Sequence, residues 1–515
     1  MALLPWLQQS WQGLQKIPFN PLLSVVFLIS FLYVFKRTRI GNPTSPPSPP
    51  KLPIIGNLHQ LGTLPHRSLQ ALSNKYGPLM LLSLGNAPTL VVSSAAMARE
   101  MMKTHDIIFS NRPKTTAANI LLYGCKDVVF SPYGEYWRQA RKISVLQLLS
   151  LKNVQSFQCV REEEVEVLIN NIRDSCLKGA ASINLSDMFM ATSNNIASRC
   201  ILGQKLEEEN GKSRFGQLSR RTMVLLAAFC FGDFFPLLGW IDFLTGLIPS
   251  LKATFRELDT FCDQVIEEHK TEKSDDKQHK RHDFVDILLR LQKNGMLDFK
   301  LTKDNLKAIL VDMFVGGTET TSTTLEWLMA ELIRNPNIMK RAQEEVRRVV
   351  RKKSKIDVND INQMDYLKCI IKETLRLHPP GPLSVPRETS ASVKIGGYDI
   401  PPKTRVFVNL WAIQRDPTVW ERPEKFLPER FKDNPIDFKG QDFEFIPFGG
   451  GRRGCPGLTF GVASLEIVVA NILCWFDWKL PSADVQGKDL DMSEVNGLSV
   501  SKKIPLHLVP ILHSP

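Results

Sequence analysis

Apolar residues recur at helical spacing along most of this chain, and strict alternation is confined to short stretches. The spacing predicts helices over residues 95–105, 133–149, 154–172 and 301–333. Residues 458–476 are apolar almost throughout and read as a buried helix. Residues 79–83 and 89–93 flank Gly85-Asn86 and read as a β-hairpin, and residues 393–400, with Gly396-Gly397 inside, read as a smaller one. The fold class that follows is mainly α with minor β. Two readings stand level for residues 223–244, rich in Phe and Leu and carrying Trp240. They form core, or they form a surface that touches a membrane or covers an apolar cavity. Residues 271–283 are charged and read as an exposed loop. The basic cluster 347–355 reads as a solvated helix face.

The N-terminal stretch changes this picture. Residues 17–35 are apolar except for Asn20, Ser24 and Ser30. As a helix they span about 28 Å, close to the hydrocarbon thickness of a bilayer. Lys36, Arg37 and Arg39 follow, while Lys16 alone precedes. The positive-inside rule then puts the N-terminus in the lumen and the body in the cytosol. A cleaved signal peptide would carry its charge before the apolar run and small residues after it, the reverse of what is found. Residues 1–40 are therefore expected to be a luminal end and transmembrane signal anchor. Residues 41–53 hold Pro43, Pro46, Pro47, Pro49, Pro50 and Pro53. They are expected to be a semi-rigid hinge outside the core that holds the body off the membrane. Residues 54–515 are expected to be one catalytic unit.

Composition adds exclusions. The chain has 515 residues, 43% of them hydrophobic, enough for a large core. Its net charge of +12 suits an anionic membrane surface or an acidic protein partner. No basic–aromatic motif accompanies it, so no nucleic acid is expected. The nine cysteines are odd in number and lack a C-x-x-C pair. That argues against a disulfide framework.

One of these cysteines organises the candidate chemistry. Residues 445–457, Phe-Ile-Pro-Phe-Gly-Gly-Gly-Arg-Arg-Gly-Cys-Pro-Gly, deliver Cys455 to the start of the apolar 458–476 helix. Backbone N–H groups, a helix dipole and two arginines are all expected to favour thiolate there. The glycines leave room for a flat ligand near the backbone. A single thiolate beside a large planar group suggests haem. Zinc fits poorly, because no second Cys or His stands at ligand spacing.

Three further motifs bear on that reading. Within 312–321, Gly316-Gly317 sit mid-helix at a cost of about 1 kcal/mol each. Something should pack against them, or the helix should open locally. Glu319 and Thr320 follow, an acid and a hydroxyl suited to relaying protons, although a threonine simply back-bonded to its helix is an even alternative. Glu373 and Arg376 share a helix face in apolar surroundings and read as a buried structural pair that Arg430 completes. His378, before Pro379-Pro380, reads as a capping or packing residue. Trp137 and Arg141 lie four apart and, with Arg387 and Arg453, could clamp two carboxylates such as haem propionates.

These four sets, in this order, resemble the cytochrome P450 haem-thiolate monooxygenases. Phe448, Gly451, Arg453, Cys455 and Gly457 resemble the family's haem-binding loop, Glu373 and Arg376 its K-helix motif, and Arg430 the arginine completing it. Gly316 to Thr320 resemble the oxygen-binding groove of its I-helix, although many relatives carry Ala at the position of Gly316. Trp137 and Arg141 resemble its C-helix propionate contact. The proline hinge, the Cys loop and Gly497…Lys502-Lys503-Ile504-Pro505-Leu506 resemble the plant A-type, family 71-like branch. The resemblance covers essentially the whole chain. It implies the cytochrome P450 fold, with haem b between the I-helix and the Cys-loop/L-helix and Cys455 as axial iron ligand. Trp137, Arg141, Arg387, Phe448 and Arg453 would bind the cofactor. Thr320 and Glu319 would deliver protons during oxygen activation. Phe314, Val315, Leu383, Val385, Leu498 and Val500 would contact a hydrophobic small-molecule substrate. The resemblance also implies O2 as co-substrate and electrons from NADPH through a cytochrome P450 reductase, with cytochrome b5 as an optional second donor, at the basic Cys455 side. The implied location is the endoplasmic reticulum membrane, single-pass, with the catalytic domain cytosolic. Terpenoids, alkaloids, phenolics and aldoximes all remain open as substrates. A haem-thiolate dehydratase or isomerase and a non-catalytic membrane haem protein are the competing readings.

Overall fold

A computed structural model describes residues 44–205, 208–209, 212–271, 283–294, 299–482 and 486–513. The expected anchor, residues 1–40, and most of the 271–283 loop lie outside the described residues. The helices that build the site are labelled α1 (Glu135–Lys142), α2 (Leu185–Leu202), α3 (Arg214–Leu226), α4 (Lys303–Arg334), α5 (Asp365–Leu377) and α6 (Leu458–Trp475).

Helix α4 is the axis of the body. Thr302 caps it: its hydroxyl accepts from Asn305 N at 3.3 Å, while Asn305 Oδ1 accepts from Thr302 N at 3.0 Å. Pro336 follows Asn335, its C-cap, where a continuing helix would need an N–H. Helix α2 lies along it, and Gly317 lets the two approach closely: a Cβ at Gly317 would stand 3.6 Å from the Ala197 Cβ. Helix α6 is apolar and long enough to cross a membrane, but its side chains are buried against α4 and the helices Gln158–Leu177 and Pro336–Val350, as expected of a core helix. Helix α5 starts on a borrowed cap, the Glu345 carboxylate, which accepts from Tyr366 N and Leu367 N at 2.9 Å each.

The minor β content matches the expectation. Strands Leu79–Leu84 and Ala87–Val92 form the first hairpin, and Val393–Ile395 with Tyr398–Ile400 form the second, turning on Gly396 (φ 56°) and Gly397 (φ 84°). The first hairpin extends into a four-stranded sheet through a parallel pairing of Ala87–Val92 with Arg405–Val408.

Several readings change. Residues 95–105 pass from an α-helix, Ala95–Arg99, into a π-helical segment, Glu100–Thr104, and residues 154–172 fall in two helices, Leu151–Ser156 and Gln158–Leu177. Residues 133–149 are not one α-helix: α1 widens into a π-helical segment, Ile143–Leu148. The described part of the proline hinge is docked, not free. Pro47 O accepts from Leu81 N at 2.9 Å, Thr44 O accepts from Asp399 N at 2.8 Å, and Pro46 and Pro49 are buried. Proline gives up an N–H but keeps its carbonyl, and here the carbonyls are what hold the segment down. The basic cluster is partly structural too, since Arg347 donates to Cys474 O and Phe476 O.

The 223–244 region divides. Met223 is buried, while Leu237, Trp240, Phe243 and Leu244 are exposed. Two large apolar cores result, one holding Ile201, Val311 and Phe460, the other Leu375, Phe445 and Leu465.

Candidate active site

Between the two cores lies a cavity of about 300 Å³, and residues from both line it. Cys455 and Thr320 line the same space, with Gly316 and Gly317 of α4 and Phe460, Gly461 and Leu465 of α6. Segments far apart in sequence thus converge on Cys455.

The Cys loop reaches this position through two glycines at positive φ, Gly449 (70°) and Gly451 (66°). A Cβ on Gly451 would stand 2.6 Å from Asp106 Oδ1 and 2.7 Å from Met102 O, so the loop needs glycine there to lie against the 102–106 segment. Arg452 N donates to Asp106 Oδ2 at 3.0 Å and pins it. Cys455 N donates to Phe448 O at 2.8 Å, and Gly457 N donates to Cys455 Sγ at 3.3 Å.

Cys455 is exposed, and its surface opens onto the cavity and onto a polar recess on the loop's outer side. The expected bias to thiolate is not what the site imposes. Burial pushes the thiol up, and the Gly457 N–H and the Arg141 charge only oppose this. The two loop arginines are engaged elsewhere. Arg452 pairs with Asp106. Arg453 donates to Ser110 O (2.7 Å), Val128 O (3.1 Å) and Ser131 O (2.5 Å) while stacked 4.2 Å over Trp137. A bound metal ion would deprotonate the thiol outright.

The residues present fit a flat, anionic group. A Cβ on Gly316 or on Gly461 would meet nothing within 4 Å, so the cavity is open above both helices. Arg141 lines the cavity, and among the described residues nothing pairs with its guanidinium. Arg112 also lines it, its Nε and Nη1 held by Val129 O (2.9 Å) and Val385 O (2.6 Å). Soft thiolate, glycine-floored walls and buried guanidinium groups suit a haem with its propionates.

The other expected site residues divide. Phe448, Trp137, Arg453, Val315, Val385 and Leu498 line the cavity. The Trp137 N–H is engaged by Val128 O at 3.0 Å. Arg387 does not line it: it is buried behind the Cys loop, donates to Gly450 O at 2.9 Å, and leaves its Nε without a partner. Burial lowers its pKa to about 10. Phe314 turns away into a ring cluster with Phe215 and Phe261. Leu383 packs against the Leu69–Met80 cluster. Val500 works through its backbone, accepting from Trp327 Nε1 at 3.0 Å.

Helix α4 is uninterrupted at Gly316-Gly317. The Thr320 hydroxyl donates to Gly316 O at 2.6 Å, within the cavity wall. Glu319 faces another way. Its Oε1 accepts from Arg220 Nε at 3.3 Å and its buried Oε2 has no partner. Burial raises this carboxyl to about 7 against the pull of Arg220.

Beneath the site, Arg376 donates to both Glu373 oxygens, at 2.7 and 2.9 Å, and Arg430 Nε donates to Glu373 Oε1 at 3.1 Å. Glu373 and Arg376 are fully buried. The remaining Arg376 donors go to Gln414 O and Pro423 O at 2.8 Å. This satisfaction is what makes a buried pair tolerable.

Comparison with known proteins agrees with the geometry. The family model described as cytochrome P450 matches residues 46–507. Phenylacetaldehyde oxime monooxygenase CYP71AN24 of Prunus mume is 54% identical, with 100% of each chain covered. Desmethylyatein synthase of Sinopodophyllum hexandrum is 50% identical, covering 96% of this chain and 99% of the relative. A zebra fish cytochrome P450 structure with abiraterone superposes with a TM-score of 0.72 at 26% identity, covering 87% of this chain and 100% of that one.

Proposed function

The chain belongs to the cytochrome P450 family, and from that premise we propose that it is a membrane-anchored monooxygenase of plant specialised metabolism that oxidises a hydrophobic small molecule. The enzyme class and the cofactor follow from the family: a monooxygenase using haem b, O2 and electrons supplied by a reductase. The observation that carries the reading is Cys455 Sγ opening onto the cavity that Thr320 also lines.

Haem, when bound, supplies an iron centre for O2 activation, whose electron richness a cysteine thiolate increases. The chain's residues supply the rest. Cys455 would hold the metal. Arg141, whose guanidinium has no partner among the described residues, would hold a propionate, with the backbone-anchored Arg112 and Arg453 adding positive charge beside it. Phe448 flanks the cysteine on both faces of the loop. Val315, Val385, Leu498 and Met223 wall the cavity with apolar surface, exclude water and orient the substrate. Thr320 Oγ1 presents a hydroxyl there, and burial raises the Glu319 carboxyl to about 7, so it exchanges a proton near neutral pH.

The reductase docks on the outer side of the Cys loop, where Lys439 and Arg452 line the polar recess and suit an acidic partner. The anchor at residues 1–40 puts the protein on the endoplasmic reticulum. The relatives' names include an oxime monooxygenase, and an aldoxime or another small apolar metabolite is the substrate class for the first screen. Among the described residues no histidine lines the cavity, so a bis-histidine haem protein is not favoured. Co-expression with a plant reductase in microsomes and NADPH-dependent metabolite screening tests the proposal. Oxygenated product supports it, and haem-loaded protein that turns over substrate without O2 contradicts it.

A further inference from the structure

A short strap, Asp127 to Ser131, carries more of the site than any motif in the sequence suggests. Its carbonyls are occupied by the groups that face the cofactor space. Val128 O accepts from Trp137 Nε1 (3.0 Å) and Arg453 Nη1 (3.1 Å), Val129 O from Arg112 Nε (2.9 Å), and Ser131 O from Arg453 Nη2 (2.5 Å). The side chains of Val128, Val129 and Phe130 line the cavity itself. The turn before it is unusual: Tyr123 (φ 53°), Gly124 (φ 75°) and Cys125 (φ 61°) are all left-handed, and two of them bear side chains. Such a backbone persists where its surroundings over-determine it.

The strap's amides are held by two carboxyl groups. Val128 N donates to Asp312 Oδ2 at 2.6 Å, and Phe130 N donates to Asp127 Oδ2 at 2.7 Å. Val129 N donates to both, at 3.0 Å to Asp127 and 3.3 Å to Asp312. One N–H therefore draws two acidic oxygens together, in a buried place where two carboxylates cannot both stay ionised. Asp127 Oδ1 is buried without a partner. We propose that Asp127 and Asp312 share one proton, and that this pair positions the strap on α4 and with it the arginines and wall residues of the site. This rests on the haem-enzyme reading only for what the strap positions.

The surrounding charges agree. Burial pushes both acids up, Asp127 to about 6 and Asp312 well above the usual range, and the nearby Asp127 charge raises Asp312 further. The pair thus keeps one proton at neutral pH. The guanidinium groups of Arg453 and Arg112 face Asp127 from the Cys loop and from the preceding segment, with Arg387 behind them. Burial lowers all three, Arg453 to about 9 and Arg387 to about 10, but a guanidinium resists deprotonation in a protein. Tyr136 of α1 and Cys125 of the turn also face the pair, and burial raises both, Cys125 to about 12. The proton that the pair shares is therefore the one this contact loses as pH rises above neutral. It leaves to solvent, two carboxylates then confront each other, and the strap loosens.

Hydrogen exchange of the 122–131 peptide in the full-length, haem-loaded chain tests this, with rates corrected for intrinsic chemistry. Wild type is expected to exchange on the order of tenfold faster at the alkaline end of its stable pH range than at neutral pH. Asp312→Asn keeps an acceptor for Val128 N and supplies a permanent donor to Asp127. It should match neutral wild type at both pH values. Asp312→Ala should exchange fast at both. Release of haem to a scavenging apoprotein should follow the same order. An alkaline step retained in Asp312→Asn, or full protection in Asp312→Ala, overturns the proposal. A chain that takes up no haem overturns the enzyme reading instead, and the exchange comparison then still decides the clamp.

Discussion

Arg220 Nε stands 3.3 Å from Glu319 Oε1, which ties helix α3 to helix α4 beside the cavity. Thr320, the next residue, lies about 100° further round the helix, and its hydroxyl reaches the cavity wall. The acid and the hydroxyl are thus neighbours in sequence but occupy different surroundings, and burial, opposed by Arg220, governs the acid's protonation.

If Glu319 supplies protons, the fraction of NADPH electrons recovered in product falls as pH rises through about 7, where its carboxyl ionises. Glu319→Gln should flatten that profile. Arg220→Gln should move the midpoint upward, because the guanidinium opposes the effect of burial. The folded pKa is raised, so this group's contribution to stability is present at low pH and is lost as pH rises through the same window. Peroxide and product yields per NADPH across pH give the measurement, and identical midpoints in wild type and Arg220→Gln would separate Glu319 from the titration.

Thr320→Ala removes the one hydroxyl donated to Gly316 O and leaves α4 intact. Haem content should be unchanged while electrons are diverted to peroxide. Product yield per NADPH equal to wild type would take Thr320 out of the relay.

The Glu373–Arg376–Arg430 group predicts a stability effect without a catalytic one. Glu373→Gln leaves two guanidinium groups without their anion, and removing one partner of a buried pair costs about 3–5 kcal/mol. Thermal unfolding should shift down steeply. A variant that unfolds with wild type would show that the backbone acceptors of Arg376 suffice.

Two glycines give opposite outcomes. Gly451→Ala should fold poorly, because a left-handed residue would drive its Cβ into Asp106 and Met102, a strain on the order of 1–3 kcal/mol. Gly461→Val should fold, since its position is open, but should exclude the flat cofactor. Circular dichroism and haem content together distinguish the two. Full haem in Gly461→Val would move the porphyrin away from α6.

Much of this was legible in the sequence because it is local or periodic. The Cys loop, the core helix after it, both hairpins and the Glu373–Arg376 spacing each lie within a few residues. What was not legible depends on direction. Periodicity gave the α4 helix but not that Glu319 and Phe314 turn from the cavity while Val315 faces it. Gly461 and Arg112 sit in no recognisable motif, and their roles arise where distant segments meet. The loop arginines looked like partners of the thiol, but two strap carbonyls and Ser110 O claim Arg453, and Asp106 claims Arg452. Burial then outweighs the Gly457 N–H and the Arg141 charge at Cys455. The proline segment looked detached because prolines lack donors, and its acceptors were overlooked. Asp127 and Asp312 lie too far apart in sequence for their pairing to be foreseen.

The most direct test is the carbon monoxide difference spectrum of the reduced, full-length protein beside its Cys455→Ala variant. Wild type should give the red-shifted Soret band of a thiolate-ligated haem, and the variant should give none. The same band in Cys455→Ala, or its absence from haem-loaded wild type, would contradict the assignment of Cys455 as the iron ligand.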